Sequence, residues 1–232
     1  MSSFDISSDL EDMYIQCLNE SERVRFKSLA LPTFRRQYLM SRVMVRMTLS
    51  RYADVSPIEW EFRSNSYGRP FISKPILYRD LDFNLSHTNG LIACAVARGA
   101  RHIGVDVEDL QRTIDPKSLA DFVFAPKEID AVRAADFNEQ RALFFSYWTL
   151  KEAYIKAMGL GLSIPLDSFW FDLSAPRPRV NFSIESADDP AQWQFHHRKI
   201  TERHRIAVAV SIPSTEQVRL AFRWTTPAKH NA

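Results

Sequence analysis

Leu91-Ile92-Ala93-Cys94-Ala95-Val96-Ala97, then Arg98-Gly99, then Ile103-Gly104-Val105-Asp106-Val107-Glu108 is the stretch on which the fold turns. Its first seven residues are the longest apolar run of the chain, far short of the ~20 residues a membrane-spanning helix needs. Bounded by turn residues, the run reads as a strand. Asn89-Gly90 ties it to Leu81 to Ser86 and Arg98-Gly99 ties it to Ile103 to Val107, which predicts three short strands in antiparallel hairpins. Alternate residues of a strand share a face, so Asp106 and Glu108 point one way while Val105 and Val107 point the other.

Outward from these strands the pattern becomes helical. Residues 8 to 29 read as one or two helices, and a stronger one runs from Thr33 to Tyr52 behind Pro32. Ile58 to Phe62 alternates as a strand and ends in the turn-rich Ser64 to Pro70. On the other side come short helices at Pro116 to Phe122 and Pro126 to Arg133, then a long one from Glu139 to Met158 closed by Gly159 and Gly161. Alternation at Phe169–Leu173, Val180–Ile184, Trp193–His197, Ile206–Ile212 and Val218–Phe222 predicts a second sheet. A long helix followed by proline and an aromatic strand occurs twice, with Pro57, Trp60 and Phe62 and again with Pro165, Phe169 and Phe171. Two α+β halves of similar plan would produce this echo, and so would chance.

The 232 residues suffice for a real core, and 45% hydrophobic with 25% charged side chains excludes disorder as the main state. Thirty basic residues against 28 acidic ones leave a formal charge of +2. A phosphate site must then be a local patch, and nucleic acid is not an expected partner. Cys17 and Cys94 stand in unlike contexts, which points to a reducing compartment rather than a disulfide framework. Acidic residues among the first twenty do not form a secretion signal. The expectation is a cytoplasmic protein without membrane attachment.

Three constellations could carry chemistry. Asp106 and Glu108 repel one another on their shared face unless a cation sits between them. A hard divalent ion is the usual solution, and Mg²⁺ combines few carboxylates with water and phosphate oxygens; an exposed polar strand face is the alternative. In Trp148-Thr149-Leu150-Lys151-Glu152-Ala153-Tyr154-Ile155-Lys156, the residues Trp148, Glu152 and Lys156 line one helix face. Glu152 and Lys156 could be a surface ion pair, but an indole one turn earlier argues that the face is covered. Phe83-Asn84-Leu85-Ser86-His87-Thr88 brings a hydroxyl and an imidazole to a strand end. Neighbours in a strand face opposite ways, so they make a poor nucleophile–base pair but can bond a phosphate.

Together with Gly68-Arg69-Pro70-Phe71, these motifs stand in an order and spacing that resembles the 4′-phosphopantetheinyl transferases, of the longer type that activates synthetases and fatty-acid carrier proteins. The resemblance spans roughly residues 20 to 173. It implies an α+β fold of two similar halves related by a pseudo-twofold, residues 1–108 and 109–232, with the active site at their interface. It implies transfer of 4′-phosphopantetheine from coenzyme A to a serine of an apo acyl or peptidyl carrier protein, with Mg²⁺, releasing adenosine 3′,5′-bisphosphate. The matching positions make Asp106, Glu108 and Glu152 the metal ligands. Ser86, His87 and Lys156 would meet the phosphates, and Arg69 and Arg23 the nucleotide end. Glu152, Lys156 and His87 would be catalytic, with Glu152 or a relaying water as base. A monomer is expected, since one chain holds both halves.

The segment from Arg112 to Arg133 mixes basic residues with Leu119, Phe122 and Phe124. It could dock an acidic carrier protein or simply fill the local core. Rival readings are a Mg²⁺-dependent phosphodiesterase or nuclease and a catalytically inactive carrier-binding module. The balanced charge speaks against the former, and the complete set of carboxylates with Lys156 against the latter.

Overall fold

The computed structural model describes residues 6–183, 188–213 and 215–225. Three helices open the chain: α1 Ser8–Gln16, α2 Glu20–Ser28 and α3 Pro32–Leu49. Asn19 and Glu22 cap α2 reciprocally, and Pro32 occupies the first turn of α3, where a missing N–H is harmless. A 3₁₀ turn at Pro57–Glu59 leads to the hairpin of β1 (Glu61–Ser64) and β2 (Pro70–Lys74). A second hairpin follows, β3 (Leu81–Thr88) with β4 (Leu91–Arg98), and then β5 (His102–Asp109). Next are α4 Pro116–Val123, α5 Pro126–Ala134 and α6 Phe137–Met158. Another 3₁₀ turn, Leu166–Ser168, precedes the hairpin of β6 (Phe169–Asp172) and β7 (Arg179–Phe182) and that of β8 (Trp193–Lys199) and β9 (His204–Ser211). β5 pairs antiparallel with the other edge of β9, giving a sheet of order β5-β9-β8. The fold is α+β.

The order long helix, 3₁₀ turn, hairpin, hairpin thus occurs twice, and a buried cation marks the same place in each copy. On α3, fully buried Arg46 pairs with Glu22 at 2.8 Å and donates to the carbonyls of Pro57 and Trp60. On α6, fully buried Lys151 pairs with Glu128 at 2.8 Å and donates to the carbonyls of Leu166 and Phe169. Each glutamate also caps the N-terminus of the short helix that carries it, α2 or α5. In both copies the cation fastens the long helix to the entry of its first hairpin, a duplication of contacts as well as of elements.

Four layers stack. α3 presents Val45 and Leu49 to Trp60, Ile72, Leu81 and Phe83. The opposite face of β4, with Leu91, Ala93, Ala95 and Ala97, packs on Ile103, Val105, Val107, Ile206, Val208 and Val210 of β5 and β9. α6 covers the far face of that sheet with Phe145, Leu150, Ala153, Ala157 and the aromatics of β6 and β8.

Several sequence expectations are corrected. No hairpin joins β4 to β5. β5 instead runs parallel to β3, where Asp82, Asn84 and Ser86 accept from the N–H groups of Ile103, Val105 and Val107 at 3.0, 3.0 and 3.3 Å. Those N–H groups face away from β9 and would otherwise be orphaned at a buried edge. The second sheet is two units, β6–β7 and β5-β9-β8. Ile58 lies in the 3₁₀ turn, β1 begins at Glu61, and β2 is a strand that the sequence pattern does not signal, with only Pro70 inside the expected loop. Val218–Phe222 forms no ladder: the N–H of Val218 bonds the Gln194 side chain, and Arg198 lies over Phe222 at 3.6 Å. Ile184, the expected end of one strand, is outside the described residues.

Candidate active site

Gly104 sets the site. A Cβ there would lie 2.0 Å from the carbonyl oxygen of Ala153 and 2.5 Å from the nitrogen of Ala157, so β5 touches the α6 backbone directly. On the same face of β5, Asp106 and Glu108 are thereby held beside the α6 turns that carry Trp148, Glu152 and Lys156. The end of α6 is locked as well. Gly159 closes it at φ +67°, and Arg69 donates to the carbonyls of Lys156 and Ile103 and pairs with Asp82 at 2.6 Å.

Asp106 is buried at 4% exposure. Its Oδ1 accepts from Lys156 Nζ at 2.6 Å and from Ser86 Oγ at 2.9 Å, while Lys156 Nζ also lies 2.9 Å from Ser86 Oγ. Its Oδ2 is buried with no hydrogen-bond partner. Glu108 Oε1 accepts from Trp148 Nε1 at 2.8 Å, with Arg112 at 3.5 Å, and the indole stacks on Phe144. Burial, then the charge of Asp106, raises the pKa of both Glu108 and Glu152 above the ordinary carboxylate value. Asp106 therefore acts electrostatically on both glutamates, which is crowding that a cation would relieve. Among the described residues, no three His, Cys, Asp or Glu side chains are yet arranged as a ready metal group. Lys156 holds Asp106 and Trp148 holds Glu108 instead. The carboxylate oxygens, the crowding and the orphaned Oδ2 fit a hard, oxygen-seeking divalent ion.

His87 stands exposed at the end of β3. Such cover as its ring has, followed by the Lys156 ammonium, lowers its pKa, with Asp106 pulling the other way, which favours the neutral imidazole. Ser86 is buried, with its hydroxyl bonded to Asp106, Lys156 and the Val107 N–H. The structure thus gathers Ser86, His87, Asp106, Glu108, Glu152 and Lys156. Arg69 is tied in just behind Lys156. Arg23 stands elsewhere, donating to the carbonyls of Ile15 and Gln16 at the end of α1.

Two supports escaped the sequence reading. The Trp148–Glu108 bond joins residues forty apart, and only the indole on the Glu152 face hinted at it. Lys151 neighbours Glu152, yet points into the core at Glu128 because adjacent helical residues diverge by about 100°. A cavity of about 360 Å³ lies away from these groups, between β4, α3, β9 and residues 220–225. Val105 lines it, so the body of β5 separates it from Asp106. Among the described residues, no carboxylate lines it.

Comparison with known proteins gives the family. Residues 102–209 match the 4′-phosphopantetheinyl transferase superfamily, and residues 7–98 match the family described as 4′-phosphopantetheinyl transferase, N-terminal. The 4′-phosphopantetheinyl transferase HetI of Nostoc sp. is 36% identical over 67% of this chain and 65% of its own length. The 4′-phosphopantetheinyl transferase gsp of Aneurinibacillus migulanus is 34% identical over 58% and 53%. The chain thus spans less than two thirds of these two relatives. The 4′-phosphopantetheinyl transferase Sfp of Bacillus subtilis is 31% identical over 84% of this chain and 88% of its own length. With residues 7–98 and 102–209 matched in order and a relative 31% identical over 88% of its length, this chain belongs to the 4′-phosphopantetheinyl transferase superfamily.

Proposed function

We propose that the protein transfers the 4′-phosphopantetheine group of coenzyme A to a serine of an apo acyl or peptidyl carrier protein. Family membership makes the reaction class the expected one. The observation that carries it to this site is the junction of Asp106, Ser86 and Lys156, with an acceptor oxygen left over and two glutamates crowded against it.

The serine oxygen forms a bond to the phosphorus that carries pantetheine, and the bond from that phosphorus to the bridging pyrophosphate oxygen breaks. The electron pair leaves with adenosine 3′,5′-bisphosphate. Asp106, Glu108 and Glu152 would hold Mg²⁺, which when bound neutralises charge on the pyrophosphate. Lys156 approaches the developing negative charge from the solvent side, and neutral His87 donates a hydrogen bond to a phosphate oxygen. Ser86 holds Asp106 and aligns the edge of β5. Glu152, its carboxyl pKa raised by burial and by Asp106, is suited to take the serine proton directly or through a water. Arg69 steadies the Lys156 turn at the nucleotide end, and Arg23 is the more distant basic group assigned there.

In this reading the division falls at residues 108 and 109. Ser86, His87, Asp106 and Glu108 stand on one side of it and Glu152 and Lys156 on the other, which puts the site at the interface of the halves. We place the protein in the cytoplasm as a monomer without nucleic-acid or membrane partners. In support, the formal charge is near balance, and among the described residues no helix is long and apolar enough to cross a membrane. Chromatography of coenzyme A incubated with the protein tests the reaction. Adenosine 3′,5′-bisphosphate is expected only when apo carrier and Mg²⁺ are both present; release without a carrier would favour a phosphodiesterase.

A further inference from the structure

We propose that Lys156 is a placeholder cation: its ammonium occupies on Asp106 the position that a divalent ion takes, so ion and ammonium displace one another. This rests on the reading of Asp106 as a metal ligand.

Lys156 Nζ lies 2.6 Å from Asp106 Oδ1, on the oxygen that Ser86 orients. A Mg²⁺ ion sits about 2.0–2.1 Å from its oxygen ligands. An ion and an ammonium on the same small carboxylate would be within a few ångströms of each other, and their repulsion sets the two in competition. The ammonium is a poor final occupant, because it leaves Oδ2 buried and unpartnered. It also offers a single charge to a cluster of three carboxyl groups, Asp106, Glu108 and Glu152. An ion with two charges and several coordination positions answers both deficits.

The two partners differ in freedom. Asp106 is buried on a strand fixed by its contact with α6. The Lys156 side chain is 30% exposed, and its four-carbon stem can swing while its backbone stays fixed by the Arg69 bond to its carbonyl. Lysine therefore leaves and aspartate stays. The departing ammonium points toward solvent, where a phosphate group would meet it, so ion binding releases the lysine for the substrate. Ion and phosphate substrate then favour each other's binding.

The test uses the full chain without coenzyme A, titrated with Mn²⁺ by calorimetry and electron paramagnetic resonance. Lys156→Gln and Lys156→Ala should bind Mn²⁺ about tenfold more tightly than wild type, within the usual range of coupling between sites. Asp106→Asn should weaken binding in both the wild-type and the Lys156→Gln backgrounds. Unchanged or weaker Mn²⁺ affinity in the lysine variants, with Asp106→Asn still damaging, overturns the placeholder and leaves the metal reading standing. Binding indifferent to Asp106→Asn overturns the metal reading itself. Should the lysine variants fail to fold, the wild type still decides through nitrogen-15 spectra of its lysine ammonium groups. Saturating Mg²⁺ should expose the Lys156 signal to solvent exchange, and a signal that stays protected overturns the proposal.

Discussion

Asp106 keeps one oxygen between Lys156 and Ser86 and leaves the other buried without a partner. Glu152, one turn from Lys156, is raised above the ordinary carboxylate pKa by burial and by Asp106. Folding therefore favours its protonated form. That contribution is complete below the unfolded-state value and is lost as pH rises through the raised one. In chelator, Glu152→Gln, which cannot ionise, should melt higher than wild type at neutral pH. The difference should vanish below pH ~4; an equal gain at both pH values would show that charge is not its cause. Arg69 is legible in sequence as a turn cation but not as a bracket, because its partners Asp82, Ile103 and Lys156 are remote in the chain. Lysine cannot make these diverging bonds, so Arg69→Lys should lower stability by about 1–3 kcal/mol in urea titrations. No loss would return Arg69 to a purely ligand-facing role.

At the scale of elements, α6 owes its position to Lys151 and Gly104 as much as to its apolar face. Lys151→Met would leave Glu128 charged and buried, at a cost of about 3–5 kcal/mol. Adding Glu128→Leu should recover part of the loss, and denaturant unfolding of the single and double variants measures it. Additive losses would contradict a coupled pair. Helix limits were plain in the sequence because Pro32, Pro116, Pro126 and Gly159 punctuate them locally. The alternation Leu81-Asp82-Phe83-Asn84-Leu85-Ser86 revealed β3 and its two faces. It did not reveal that the polar face would satisfy β5 rather than water. Strand pairing is a long-range choice, which is why the turn at Arg98-Gly99 suggested a hairpin that the molecule does not form. In the same way Val218–Phe222 alternates like a strand, yet its Val218 N–H goes to the Gln194 side chain.

Across the whole molecule, the order long helix, 3₁₀ turn, hairpin, hairpin is laid down twice, and the proposed function puts the site between the two copies. The motif residues were legible beforehand because Asp106, Glu108, Glu152 and Lys156 follow strand and helix periods. Their supports come from packing that no local pattern records. On α4, Phe122 is 86% exposed, whereas Phe124 is buried in the core. Among the basic residues of this segment, Arg133 pairs with Asp121 and Lys127 lies over Trp170, and Lys117 and Lys127 are both exposed. An exposed aromatic on a helix that also exposes a lysine suits an acidic carrier surface. Phe122→Ala should raise KM for the carrier about tenfold, as loss of a central aromatic contact does. Lys117→Glu with Lys127→Glu should do so chiefly at low salt. KM for coenzyme A should hold in both cases, and a parallel loss would remove this face as a docking surface. The most direct test of the central claim is the intact mass of an apo carrier protein after incubation with coenzyme A, Mg²⁺ and either wild type or Asp106→Ala. Wild type should add one phosphopantetheine to the carrier and the folded variant none. Full modification by Asp106→Ala, or none by wild type across a panel of apo carriers, would contradict the account.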